Sequence, residues 1–313
     1  METRTLGASG ARVGVLGLGT STWGRGTDAI EAREQVAMLL EAGGNLIEVA
    51  SWMTNADVSR EALSLASRPE VFVTLRTVAQ PSRREALADL DASLQDLGIA
   101  HADLWLIDGW AGDGHWEEAV ASLAIASSTG RAMYVGLSPS RPWHAAMVGA
   151  ALAMHPDRPT MAAMSFPSSL LDAAASAEPM AVAHALGAGV VAASPLAGGV
   201  LTGKYRHATP PDSRGASERH AQRLHSYRRT WTRPVIEALC AAAEGLGVSP
   251  GSLALAWARD REGITSTIVG ARTTHQWRAA LDSTRVTLPS EIRQVLDEVA
   301  AQAVDLGEDE TEG

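Results

Sequence analysis

Two carboxylates end short apolar runs in this chain: Glu48 follows Leu46 and Ile47, and Asp108 follows the run at 104–107. At the ends of nearby strands they would face one pocket, with Trp52, Trp105 or Trp110, and His115 on the adjoining loops. Carboxylates that share an aromatic, partly dry cleft divide into one acid and one base. That division suits a lyase, an isomerase or a cyclising enzyme working on a carbonyl or polyol compound. Arg76 could polarise an oxygen there, because a guanidinium is always charged. The plainer reading makes both acids ordinary strand-end residues, paired with Arg76 or Arg131.

A pocket of that kind needs strands that end at one rim. Apolar runs at 15–18, 46–49, 71–75, 104–107, 133–137, 161–164, 190–193 and 267–269 read as buried parallel strands. Helical periodicity lies between them, clearest at 82–97, where Ser82 can cap the start and Leu87, Leu90, Leu94 and Leu97 share a face. Eight such strand and helix units close a (β/α)8 barrel, and a doubly wound sheet shows the same alternation. Successive strand residues point to opposite faces, so with Leu75 inside a barrel Arg76 would leave it.

Residues 198–230 break the alternation with a long polar stretch that holds Pro210, Pro211, Gly215, His207, His220 and His225. A loop of that length is usually functional, and here it is expected to lie over the barrel mouth as a lid. The histidine spacing fits no ordinary zinc pattern, so no metal is expected. The expected organisation is one barrel over 1–303 and an acidic, disordered tail at 304–313.

The chain has 313 residues, 46% hydrophobic and 20% charged, enough for one large core. A formal net charge of -10 without a sustained Lys/Arg run argues against a nucleic-acid partner, since that binding neutralises phosphates. A small-molecule ligand is expected instead. The single cysteine, Cys240, can form no intramolecular disulfide and points to a reducing cytoplasm. No charged-then-apolar leader opens the chain and no run of about 18 apolar residues follows, so neither secretion nor a membrane is indicated. The oligomeric state stays open.

Separated segments carry a resemblance to a known family. They are Leu6-Gly7-Ala8-Ser9-Gly10, Leu16-Gly17-Leu18-Gly19-Thr20, Ala42-Gly43-Gly44-Asn45, Leu97-Gly98 with Asp103-Leu104, and Val135-Gly136-Leu137-Ser138. Later come Ser194-Pro195-Leu196-Ala197-Gly198-Gly199 with Lys204-Tyr205, Ala254-Leu255-Ala256-Trp257, and Ile268-Val269-Gly270-Ala271-Arg272-Thr273. In this order the chain resembles the aldo-keto reductases almost from end to end.

The resemblance implies a (β/α)8 TIM barrel with an N-terminal β-hairpin, and hydride transfer from NADP(H) to a carbonyl carbon. A tyrosine tuned by a lysine–aspartate pair gives the proton, and a histidine orients the oxygen. At those four positions the resemblance places Glu48, Met53, Leu75 and Asp108, and a slip of one residue would bring Arg76 to the lysine position. The tetrad is therefore expected to be lost, and the protein to be a repurposed non-redox enzyme that uses Glu48 and Asp108. The alternatives are a catalytically silent ligand-binding or regulatory barrel and an NADPH-dependent carbonyl oxidoreductase with a rearranged proton donor.

Around the nicotinamide the resemblance places Ser138, Pro139, Ala163 and Ala193, of which only Ser138 keeps a polar side chain. For the pyrophosphate it places Ser194, Leu196, Gly198 and Lys204, and for the 2′-phosphoadenosine Gly270, Ala271, Arg272, Thr273 and Gln276. Arg272 could pair with a phosphate, and the following helix start offers backbone N–H groups. The same glycines would also serve backbone turns alone.

Overall fold

Side chains alternate across a strand, and that alternation sorts the strands of this chain into an inner and an outer core. The computed structural model describes residues 1–52, 56–64, 68–109, 116–211, 213–216, 224 and 227–309. Strands β1 (Thr3–Thr5) and β2 (Arg12–Gly14) form an antiparallel hairpin with Thr3 opposite Gly14. Parallel strands follow: β3 (Leu16–Gly19), β4 (Leu46–Ala50), β5 (Phe72–Val78), β6 (Ala102–Asp108), β7 (Ala132–Ser138), β8 (Met161–Pro167), β9 (Gly189–Ala193) and β10 (Ile264–Gly270). They close in chain order, because β10 pairs with both β9 and β3. Among the described residues the helices are α1 (Ala29–Glu41), α2 (Ala56–Leu63), α3 (Arg83–Leu97), α4 (Trp116–Ser128), α5 (Pro142–Ala153), α6 (Ala177–Ala185), α7 (Arg233–Leu246), α8 (Pro250–Arg259), α9 (Thr274–Asp282) and α10 (Ser290–Asp309). This is a (β/α)8 TIM barrel with an N-terminal hairpin, as the strand pattern and the resemblance both implied.

The inner core joins the hairpin to the barrel floor: Leu6, Ala11 and Val13 pack with Leu46, Phe72, Leu104, Leu106, Val191 and Ile268. The outer core lies between strands and helices, with Val49, Val73, Leu75, Trp105 and Ile107 against Leu39, Leu90, Leu94 and Leu123. Helix α3 shows the local logic. The Ser82 side chain accepts from the Glu85 N–H, Leu90, Leu94 and Leu97 are buried, and Gly98 ends the helix at φ 67.

Most strands run further toward the rim than their apolar runs. β5 continues to Val78, β6 to Asp108, β7 to Ser138 and β8 to Pro167. The added residues include Arg76, Thr77, Asp108 and Ser138, polar groups that lie beyond the apolar runs but still within the strands.

A third core holds the segment after β9. Ala197, Val200, Leu201, Tyr205 and Leu224 pack with Val235 and Leu239 of α7, Leu253 and Trp257 of α8, and Leu296 of α10. The described part of residues 198–230 is thus anchored by buried apolar side chains. His207 is exposed, and His220 and His225 lie outside the described residues. The tail departs from expectation, since α10 continues to Asp309, while 310–313 lie outside the described residues. No single helix among the described residues is long and apolar enough to cross a membrane. Cys240 is buried, and that burial pushes its thiol pKa up.

Candidate active site

Closing a sheet into a barrel tilts and staggers its strands. The register sets Glu48 level with Thr74, Arg76 with Leu106, and Asp108 with Ser138. Glu48 shares the inner face with Leu46, Arg76 with Phe72, and Asp108 with Leu104 and Leu106. The stagger therefore climbs from Glu48 through Arg76 to Asp108 around one side of the rim.

The guanidinium joins them. Arg76 Nη1 donates to Glu48 Oε1 at 3.2 Å, while Nη2 donates to Ser138 Oγ at 2.6 Å and lies 3.1 Å from Asp108 Oδ1. Side-chain exposure is 11% for Glu48, 13% for Arg76 and 29% for Asp108, so Asp108 opens furthest to solvent. Burial opposes the charge on Arg76, but the two carboxylates outweigh it and raise its pKa above the ordinary value. Glu48 Oε2, Arg76 Nε and Thr74 Oγ1 are buried without a hydrogen-bond partner among the described residues. Each such group costs on the order of 1–3 kcal/mol, and native cores hold few of them.

This geometry corrects the sequence reading at several points. Leu75 faces the helices and Arg76 faces inward, because the inward set on β5 is Phe72, Thr74 and Arg76. Arg76 does not leave the barrel. The two acids flank one cation instead of facing each other across an aromatic cleft. Trp105 lies on the outer face, fully buried, with its indole N–H donated to Thr77 Oγ1 at 3.0 Å. Arg131 pairs with Asp91, away from both acids. Trp52 sits half-buried on the turn after β4, where its carbonyl accepts from Arg25 Nη2 at 3.5 Å. Met53, Trp110 and His115 lie outside the described residues.

The segment after β9 is strained. Ser194 at φ 53 and Ala197 at φ 48 hold left-handed conformations that residues with a Cβ adopt at a cost of about 1–3 kcal/mol each. Gly198 and Gly199 follow at φ 67 and φ 94, and a Cβ on Gly199 would come within 3.0 Å of Lys204 Nζ. Bare backbone beside an ammonium is a cradle for an anion, so Ser194, Leu196, Gly198 and Lys204 fit a pyrophosphate. Of the residues the resemblance assigns to a nicotinamide, Ser138 is already bound to Arg76, Ala163 is fully buried and Ala193 is half-buried.

The segment after β10 is differently built. The Ala271 carbonyl accepts from Thr22 Oγ1 at 2.9 Å and the Arg272 carbonyl from Thr27 Oγ1 at 2.9 Å. Thr273 caps α9 through the Gln276 N–H at 3.2 Å, and Gln276 Oε1 accepts from the Arg272 N–H at 2.9 Å. The Thr274 N–H donates to Glu31 Oε2 at 2.5 Å. A carboxylate already seated on the Thr274 N–H does not fit a 2′-phosphate. Sequence reasoning missed Glu31, although its place three residues after the cap Asp28 marks it as a helix-start acid.

A closed barrel that gathers its polar groups at the C-terminal rim, beside a strained glycine loop, is built as a barrel enzyme. The chain matches the Aldo/keto reductase family over residues 15–301, and it belongs to that family. It is 28% identical to "Uncharacterized oxidoreductase YrpG" of Bacillus subtilis, over 96% of each chain. It is 26% identical to "Protein tas" of Escherichia coli, over 96% of this chain and 97% of the relative. These matches overturn the expectation of a lost tetrad and a repurposed non-redox enzyme, or a silent barrel. They point to an oxidoreductase of the aldo-keto reductase type.

Proposed function

We propose that the protein is a nicotinamide-dependent oxidoreductase that interconverts a small carbonyl compound and its alcohol. The observation that carries this reading is the buried Glu48–Arg76 pair at the C-terminal rim, reached from the inner face of the barrel. A bound reduced nicotinamide would supply hydride to the carbonyl carbon. Ser194, Leu196, Gly198 and Lys204 would hold its pyrophosphate, and Ser138 lies at the ring end.

The chain's own groups act on the oxygen. Arg76 brings fixed positive charge and N–H donors to the place where negative charge develops, and such preorganised donors are a leading source of rate enhancement. Glu48 fixes the plane of the guanidinium. Asp108, the most open of the three, connects the oxygen to solvent and passes the proton that completes the alcohol. The described residues of 198–211, anchored at Leu201 and Tyr205, would cover a bound dinucleotide. A reducing cytoplasm suits the single, buried Cys240.

The test is an assay of NADH and NADPH consumption with a panel of aldehydes and ketones. We expect oxidation that depends on the carbonyl, and a fall in kcat/KM of about 100-fold or more in Arg76→Leu, in line with the loss of an oxyanion donor. Absence of turnover with either cofactor across the panel would remove the reading.

A further inference from the structure

The start of α9 is where an added phosphate on the adenosine ribose would seek backbone N–H groups. Three backbone N–H groups there are engaged within the chain. Gln276 Oε1 holds the Arg272 N–H at 2.9 Å, Thr273 Oγ1 holds the Gln276 N–H at 3.2 Å, and Glu31 Oε2 holds the Thr274 N–H at 2.5 Å. Glu31 arrives from the first turn of α1, where its own N–H is capped by Asp28 Oδ1 at 2.9 Å. An acid in that position ordinarily folds back onto its own cap. This one crosses to a second helix, and the two helix starts share its charge.

The loop that delivers it is fixed. Thr22 and Thr27 bind the carbonyls of Ala271 and Arg272, and Gln35 Nε2 donates to the Ala271 carbonyl at 3.3 Å. Glu31 is half-buried against this clamp, so it cannot move aside freely. Arg272 is the counter-charge of the segment, and its stem runs along Gly26, where a Cβ would lie 3.5 Å from Arg272 Cδ.

We infer that Glu31 selects the dinucleotide without the 2′-phosphate, so that the protein takes NAD(H) in preference to NADP(H). This rests on the nicotinamide reading given above. A phosphate carries close to two negative charges and would have to displace a carboxylate already seated on the helix start. A ribose 2′-hydroxyl is a donor, and a carboxylate is the group that accepts from it. One position thus rejects one ribose and receives the other.

Calorimetry on the wild type and on Glu31→Gln tests it, with NADH, NADPH, adenosine 5′-monophosphate and adenosine 2′,5′-bisphosphate as ligands. The amide oxygen of glutamine can still accept from the Thr274 N–H, so the variant keeps the fold. We expect wild type to bind NADH at least about tenfold more tightly than NADPH, a modest effect for like charges a few ångströms apart. Glu31→Gln should narrow that ratio about tenfold, and the bisphosphate should follow NADPH. Tighter NADPH binding by wild type, or a ratio unmoved by Glu31→Gln, overturns the inference and leaves the nicotinamide reading standing. Failure of wild type and variant to bind either dinucleotide overturns both.

Discussion

The floor and the rim of the barrel are made by the same strands and handle polarity in opposite ways. At the floor, Leu6, Ala11 and Val13 of the hairpin region close the inner cluster of Leu46, Phe72 and Leu104. The backbone there is pressed so close that a Cβ on Gly7 would lie 2.4 Å from the Gly189 nitrogen. At the rim the inner face turns to Glu48, Arg76, Asp108 and Ser138, with three buried polar atoms left unmatched among the described residues. The floor fixes the fold, while the rim holds charge in a geometry that folding alone would not select. Buried ion pairs can often be replaced by apolar residues at no loss of stability. An inward-facing cation held by two carboxylates at the rim is therefore a statement about chemistry.

The largest effect that could break this contrast belongs to Arg76→Met. Removing the cation leaves two acids facing a low-dielectric interior, and such a change costs about 3–5 kcal/mol. Urea or guanidinium melts would read that loss. Combining it with Glu48→Gln and Asp108→Asn should recover most of the stability and none of the turnover. A neutral Arg76→Met would make the rim cluster equivalent to an ordinary surface pair.

Next in size is Leu104→Ala at the floor. A buried leucine truncation costs about 2–5 kcal/mol, and here the cavity would open far below the rim. We expect a lower denaturation midpoint with KM for the carbonyl unchanged in the folded fraction. A large rise in KM would show that floor and rim are coupled. Thr77→Val is smaller. It removes the acceptor of the buried Trp105 indole N–H behind the rim, at about 1–3 kcal/mol, and should leave the kcat of the folded enzyme in place.

The fold was legible because eight apolar runs alternate with helical stretches, the number a barrel needs, and the resemblance decided between a barrel and a doubly wound sheet. The rim was harder to read for a physical reason. The run at 71–75 ends where Arg76 begins, so β5 looked finished three residues before Val78, where it stops. Leu75 then seemed to stand in the site. The parity was readable all the same: Val73 and Leu75 meet the apolar helix layer, which leaves Thr74 and Arg76 for the interior. Glu31 was out of reach in another way. Its bond to Thr274 spans 243 residues, and no local pattern announces which of two helix starts an acid will cap.

The smallest effect concerns a group just behind the rim. His144 stands in the first turn of α5, which leaves β7 close to Ser138, and it is buried with the Trp143 ring edge-on at 4.0 Å. Burial first, and then the nearby charge of Arg141, lowers its pKa below the ordinary value. In the unfolded chain a histidine titrates near about 6.5. As pH falls through that value the unfolded state takes up a proton that the folded state refuses. Stability should therefore decline from about pH 6.5 downward and level off once the folded imidazole is also protonated. Denaturation midpoints measured across that window should show the slope in wild type and a weaker one in His144→Gln. The pH profile of kcat should be the same in both proteins if charge at this end of the barrel acts only through the inner face. A kcat profile that shifts with His144→Gln would extend the chemical end of the barrel outward, beyond the strands, into the helix layer.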